Sequence, residues 1–411
     1  MNLALFFARK MRGLEQYKNT VSTRIINIAT IAVALGVSSI LIATSTSRGL
    51  QKEIQNKTSA FNGHILVTLF ENNESQISVL PIQDKKSVRK KLKRNKNLDR
   101  FHSIALKAGM LKNNSDFEGV LFKGVSSNFK WSILDPFKIE GNFPDFSNAI
   151  SKEILISEIL SRQLNLKVGD QIDAFFLKNS TQKIPNKRRF KVSGIYFSGF
   201  PDIDNTLIYC DLRQIQKINR WDENLIGGYE LFVNDFSLIQ HTSDQVYNSL
   251  PSELNSIPIS DRFSSIFQWI ALFDFNILII LVVMILVGVT NMATALLVLI
   301  LERSRMVGLL KAIGAKNTMI QKIFLYNGVF IISRGLFFGN LIGLGFYYSQ
   351  KLLGWIRLDP STYFVEVAPV SLSYFEVLYI NLFFLFIFTF LLWLPSRIIL
   401  RISPSKVLRL K

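Results

Sequence analysis

Four stretches of this chain are apolar enough and long enough to place it in lipid: about Ile25 to Ser45, Ile270 to Leu301, Ile323 to Tyr348, and Val377 to Leu394. A hydrocarbon core of roughly 30 Å needs about 20 such residues in one helix, and inside it every backbone polar group must be satisfied within the helix. The pattern predicts transmembrane helices over 25–45, 270–301, 323–348 and 377–394. Arg9, Lys10, Arg12, Lys18 and Arg24 precede the first, as they would a secretory signal. The apolar run, about 20 residues against the roughly 7 to 15 of a signal peptide, points to an uncleaved anchor.

Charge sets the expected orientation. Cytoplasmic flanks of membrane spans collect Lys and Arg. Residues 1–24 carry +4, residues 302–322 carry +4 and residues 395–411 carry +5, so thirteen of the net +18 lie on three short flanks. The loop 349–376 holds only Lys351 and Arg357 against three acids. Both termini are therefore expected in the cytoplasm, and residues 46–269 outside it. Topology accounts for most of the basic charge, so no nucleic-acid partner is expected.

The chemistry-bearing motifs are missing. One cysteine, Cys210, excludes an internal disulfide framework and cysteine-based metal motifs, and His64, His102 and His241 lie far apart, so no metal site is expected. No Gly-x-x-x-x-Gly-Lys-Ser/Thr loop cradles a nucleotide, and no Gly-x-Ser-x-Gly elbow presents a nucleophile. No catalytic residue is expected.

Residues 46–269 read as a folded α+β domain. Strands are expected at His64–Leu69, Gly119–Val125, Gln171–Leu177, Arg189–Tyr196, Thr206–Cys210 and Tyr229–Val233, with helices at Asp84–Lys93, Lys152–Leu164 and Asp211–Asn219. A polar, basic tip at Lys178–Lys187 joins two of the strands. It is either an ordinary solvated turn or a contact for an acidic partner steered by Lys178, Lys183, Lys187 and Arg188. The basic run from Lys85 to Lys96 has Val88 and Leu92 four apart, the apolar edge of a surface helix.

Directly after the second apolar stretch comes Glu302-Arg-Ser-Arg-Met-Val-Gly-Leu-Leu-Lys-Ala-Ile-Gly-Ala315. Met306, Leu309, Leu310 and Ile313 recur at i, i+3, i+4 and i+7, which predicts a short amphipathic helix. Gly314 is placed to end it, and Asn317 or Thr318 to cap the helix beyond. Such a helix is either an interfacial anchor or an element that docks on a cytoplasmic motor.

That segment, with Phe324 and Gly328, resembles the signature of MacB/FtsX-like permeases of ABC transporters. Ile31–Val37, Gly63–Ile65, Gly194–Asp204, Tyr363–Val370, Leu394-Pro395 and Ser403–Arg409 are similar to the lipoprotein-releasing LolC/LolE branch. The resemblance covers nearly the whole chain in order. It implies an α-helical membrane protein with four transmembrane helices and a large α+β periplasmic domain between helices 1 and 2. The parts are then a cytoplasmic segment 1–24, helix 25–45, periplasmic domain 46–269, helix 270–301, coupling segment 302–322, helix 323–348, short periplasmic loop 349–376, helix 377–394 and cytoplasmic tail 395–411.

The same resemblance implies a multi-pass protein of the bacterial inner membrane that pairs with a second permease protomer and two copies of a LolD-like ATPase. ATP and Mg would sit on that ATPase, with no cofactor in this chain. The cargo would be lipoproteins, passed to a periplasmic lipoprotein chaperone. Glu302, Arg303, Arg305, Met306, Gly308, Leu309, Leu310 and Gly314 would couple to the ATPase, with Met306, Leu309 and Leu310 facing it. Gly36, Ser39, Ile40, Asn291 and Met292 would form a lateral gate for membrane lipids and cargo, and Asn179, Thr181, Lys183 and Pro185 the chaperone-facing hairpin. Two departures stand out: the hairpin tip is short for a chaperone hook, and Arg334 falls within the third apolar stretch, where snorkelling would relieve it. A MacB-like efflux or mechanotransmission permease, and an FtsX-like anchor that activates a cell-wall hydrolase, are the alternatives.

Overall fold

The computed structural model describes residues 21–70, 77–78, 80–113, 116–176 and 185–397. The chain divides into two compact units. One comprises Met1–Lys52, Trp269–Arg357 and Val367–Lys411, and the other comprises Glu53–Gln268 and Leu358–Glu366.

The first unit is helical. Four helices, Val21–Asn62, Ser264–Glu302, Asn317–Leu353 and Tyr374–Ser396, are each long and apolar enough to cross a membrane. The first has 42 residues, about 60 Å at 1.5 Å per residue, because the polar run from Arg48 to Asn62 contains good helix formers and only one glycine. It ends where Gly63 takes φ +68° and donates to the Ser59 carbonyl at 2.8 Å, a left-handed cap.

Glycine sets the packing of these helices. Gly335, Gly339 and Gly343 recur every fourth residue along the third helix. A Cβ on them would lie 2.6 Å from Val33, 2.8 Å from Val37 and 2.9 Å from Leu41 of the first. Gly288 likewise abuts Phe388, and Gly328 abuts Leu392. Small residues at such crossings let helices approach closely where lipid gives no hydrophobic reward for association.

The second unit is built on a ten-stranded mixed sheet. Its order is β12 (Leu254–Pro258), β1 (Ile65–Leu69), β11 (Gly228–Val233), β3 (Leu98–Asn113), β4 (Asp116–Val125), β9 (Leu207–Asp211), β6 (Glu153–Ser157), β8 (Asn186–Tyr196) and β5 (Lys138–Gly141). β7 (Gln171–Phe176) pairs with both β3 and β8, so β3, β4, β9, β6, β8 and β7 close a ring. The short strands β2 (Ile82–Gln83) and β10 (Leu225–Ile226) pair separately. Phe122, Phe176 and Phe190 pack in the ring with centroids 4.9 to 5.4 Å apart. A second cluster gathers Phe61, Phe129, Tyr196 and Tyr209.

Most expected strands appear within a few residues of their predicted bounds. The expected helix Lys152–Leu164 does not. Glu153–Ser157 is a buried strand, and the helix is only Glu158–Gln163, capped by the Ser157 hydroxyl, which accepts from the Leu160 N–H. Ile154-Leu-Ile156 and Ile159-Leu160 fit either period, and sheet burial decided. β3 and the helix Ile239–Ser249 escaped prediction. His102 and Ser103 interrupt the apolar signal of the first, and the second is largely polar. The basic helix spans Lys86–Arg94 and buries only Val88 and Leu92.

Candidate functional site

Between the second and third spanning helices lies the short helix Ser304–Ala312. Arg303, with φ −97° and ψ 14°, breaks it from the helix before. At its far end Gly314 has φ +89°, the Gly314 N–H reaches the Lys311 carbonyl at 3.1 Å, and the Ala315 N–H reaches Leu310 at 2.9 Å. This is a complete Schellman stop. Asn317 and Thr318 do not cap the next helix; Lys316 occupies that position without a side-chain bond.

The faces of this helix differ from the expected stripe. Val307, Gly308 and Leu310 are buried, and Val307 and Leu310 belong to the helical core. Leu309 and Ile313 stay 56% and 73% exposed, Met306 is half-buried, and Glu302 and Arg305 are exposed. Leu310 is therefore a packing residue. The surface offered outward is Leu309 and Ile313, one turn apart, beside Arg305.

The expected gate residues face inward within the helical unit. A Cβ on Gly36 would meet Met284 of the second helix at 3.7 Å, ordinary contact without crowding. Ile40 and Met292 are each 1% exposed, while Ser39 and Asn291 are half-buried. The outward apolar face of the first helix is Ile28, Ile31 and Leu35. Arg334 is exposed, with its guanidinium 5.9 Å from the Phe330 ring centroid.

β7 and β8 form the expected hairpin, paired from Gln171↔Lys191 to Phe176↔Asn186. Pro185 is exposed just before β8; Asn179, Thr181 and Lys183 lie outside the described residues. Lys187 is not a free steering charge. It bonds Asp173 at 2.8 Å, as does Arg189, and these bonds, Arg189 first, hold the Asp173 carboxyl down to about 2.

Sequence reasoning missed a buried charged cluster. Lys123 of β4, Glu230 of β11 and His102 of β3 are 2%, 3% and 4% exposed. The Lys123 ammonium donates to Glu230 Oε1 and to the Phe61 carbonyl, both at 2.6 Å, and His102 Nε2 lies 3.0 Å from Glu230 Oε2. Arg262 donates to the Asn62 carbonyl at 3.3 Å. Two cations thus hold the last carbonyls of the first spanning helix, the negative end of its dipole. Burial lowers the pKa of Lys123, His102 and Arg262. Burial alone would raise Glu230, but the Lys123 charge and the His102 bond bring it to about 2. The sequence signal was a lone Lys in Val120-Leu-Phe-Lys-Gly-Val125 and a lone Glu in Gly228-Tyr-Glu-Leu-Phe-Val233. Among the described residues no three His, Cys, Asp or Glu side chains are placed to hold a metal.

Two family models match the chain. Residues 28–245 match the MacB-like periplasmic core domain, and residues 278–404 match the FtsX-like permease C-terminal region. The lipoprotein-releasing system transmembrane protein LolE of Haemophilus influenzae is 22% identical, with 99% of each chain covered. The corresponding LolC of Buchnera aphidicola is 21% identical over 93% of each. The crystal structure of the periplasmic region of MacB from Actinobacillus actinomycetemcomitans is 11% identical at a TM-score of 0.35, covering 50% of this chain and 92% of that one.

Proposed function

The chain belongs to the FtsX-like permeases with a MacB-like periplasmic core domain, the membrane subunits of ABC transporters, and from that premise we propose that it extracts lipoproteins from the inner membrane for transfer toward the outer membrane. It is a multi-pass membrane protein with a periplasmic domain between its first and second spanning helices.

The observation that carries the finer reading is the end-to-end similarity to proteins named for lipoprotein release. The chemistry supports it. Each buried CH₂ of an acyl chain is worth about 0.8 kcal/mol, so a triacylated protein does not leave a bilayer unaided. Energy has to come from a partner, a LolD-like ATPase that binds ATP and Mg, in two copies on a dimer of permease protomers. The helix Ser304–Ala312 supplies the dock, through Leu309, Ile313 and Arg305 and not through Leu310. Cargo lipid meets the first helix on its Ile28, Ile31 and Leu35 face, or parts the Gly36–Met284 contact to enter. A periplasmic lipoprotein chaperone accepts the product at the β7–β8 hairpin.

The test is reconstitution of the permease with its ATPase in vesicles bearing a triacylated lipoprotein. ATP should drive the lipoprotein into the soluble fraction when an acceptor chaperone is present. Replacing Leu309 and Ile313 by Asp should cut ATPase co-purification by at least about tenfold, since each buried apolar side chain is worth roughly 1.5–3 kcal/mol, and leave membrane insertion intact. A coupled, ATP-hydrolysing complex that leaves the lipoprotein in the vesicle would overturn lipoprotein release.

A further inference from the structure

The loop between the third and fourth spanning helices contains a residue in the wrong conformation for its side chain. Phe364 has φ +60°. It follows the single helical turn Pro360–Tyr363, and its N–H closes that turn on the Pro360 carbonyl at 3.0 Å. Glycine takes this left-handed capping position without strain, whereas a phenylalanine does not. Something must hold the ring there.

Two contacts do so, and a glycine makes room for them, all within the unit that joins Leu358–Glu366 to Glu53–Gln268. The Phe364 ring stacks on Phe200, centroids 4.6 Å apart and planes 13° from parallel. The Phe364 carbonyl accepts from Lys57 Nζ at 3.1 Å. The same carbonyl lies 3.2 Å from where a Cβ on Gly199 would stand, and Gly199 itself has φ +79°. The turn that offers Phe200 is prepared for this. Asp204 is 1% exposed, and its carboxylate accepts the N–H groups of Ser198 and Gly199, both at 2.9 Å. The loop is closed on itself as well, from the Leu358 N–H to the Glu366 carbonyl at 2.9 Å. Gly354, at φ +56°, ends the third helix just before it.

We propose that Leu358–Glu366 is a releasable clasp. Phe364 locks it onto the Ser198–Asp204 turn in one state of the transport cycle, and the ring leaves Phe200 in another. An aromatic stack and a charge-assisted hydrogen bond hold the loop against a strained backbone. Strain of this kind, stored against a few contacts, is what a ligand-driven cycle can release. Because the loop continues directly into the third and fourth helices, its release would be set by the nucleotide state of the bound ATPase. The proposal rests on the reading of this chain as an ATP-driven permease.

The experiment places a photoreactive phenylalanine at position 364, which keeps the aromatic ring, in the full chain assembled with its ATPase. Its cross-link to residues 198–204 should differ at least threefold between the nucleotide-free complex and one trapped with ATP and vanadate, and a cross-link indifferent to nucleotide would sink the clasp. If that variant fails to fold, the same photoreactive residue at position 200 reads the contact from the other ring, with the same threefold difference expected and the same indifference overturning the clasp. The readout needs no cargo, so a failure of the unmodified complex to release lipoprotein is seen separately from a failure of the clasp.

Discussion

In the helical unit the first and third spanning helices approach closely, where Gly335, Gly339 and Gly343 leave room for Val33, Val37 and Leu41. In the external unit a comparably tight place, the end of the first helix, is filled by Lys123, Glu230, His102 and Arg262 around the Phe61 and Asn62 carbonyls. One region packs by omitting side chains and the other by pairing charges. The solvent of the unfolded alternative explains the difference. Lipid offers nothing to drive helices together, so contact area must come from backbone proximity. Water drives the external core to bury apolar surface, and it can then carry a few charges inside if each is matched.

Lys123→Met tests that account where the expected effect is largest. It leaves Glu230 buried beside a neutral histidine, and removing one partner of a buried pair costs about 3–5 kcal/mol. Hydrogen exchange of the β4 and β11 amides in the full chain should accelerate accordingly. The double variant Lys123→Met, Glu230→Leu should recover most of that protection, because the buried Lys123–Glu230 pair then goes as a unit and Arg262 keeps its hydrogen bond to the Asn62 carbonyl. If the double variant is as damaged as the single one, the cluster is held by shape and not by charge matching.

Gly339→Leu is the matching break in the helical unit. Even the first added carbon would stand 2.8 Å from the Ala34 carbonyl oxygen and from the Val37 Cβ, so the helices must separate, at about 1–3 kcal/mol or more. Gly345, six residues on, meets nothing within 4 Å, and Gly345→Leu should stay within about 0.5 kcal/mol. Denaturant unfolding in detergent, monitored by helical circular dichroism, measures both. Equal losses would mean that glycine serves helix flexibility here and not proximity.

The sequence made some of this legible and hid the rest for physical reasons. The spanning helices were visible because lipid demands unbroken apolar runs, and Arg48–Asn62 was not, because its helix lies beyond the apolar signal. β9 and β11 were visible because apolar and aromatic residues dominate both, with Glu230 the one interruption inside β11; β3 was not, since its buried His102 and Ser103 read as surface. The short helix Ser304–Ala312 was found, and its Gly314 stop was placed correctly from chemistry alone. Its faces were misassigned. Period alone groups Leu309 with Leu310, and only the neighbouring helices decide that Leu310 turns in and Leu309 out. Phe364 could not be read at all, because a phenylalanine gives no sign in sequence that its backbone is left-handed.

The smallest effect concerns a side-chain amide pair inside the helical unit. Asn340 of the third helix and Asn381 of the fourth exchange amide hydrogen bonds, at 2.6 and 2.9 Å. By analogy with Lys123 and Glu230, stranding one partner in an apolar setting should be severe. The difference in solvent argues otherwise. Each amide also donates to the carbonyl four residues earlier, Leu336 at 2.7 Å and Val377 at 2.8 Å, so a widowed Asn keeps a partner on its own helix. Interhelical polar pairs in membranes average about 0.6 kcal/mol and reach roughly 1.7, because chains unfolded in lipid also find partners. Asn340→Leu, Asn381→Leu and the double variant, measured by the same detergent unfolding, should give a coupling energy in that range, well below that of the Lys123–Glu230 cycle. A coupling of about 3 kcal/mol or more would show that the two units obey one rule for buried polar groups, and that the contrast between glycine packing and charge pairing is not set by solvent.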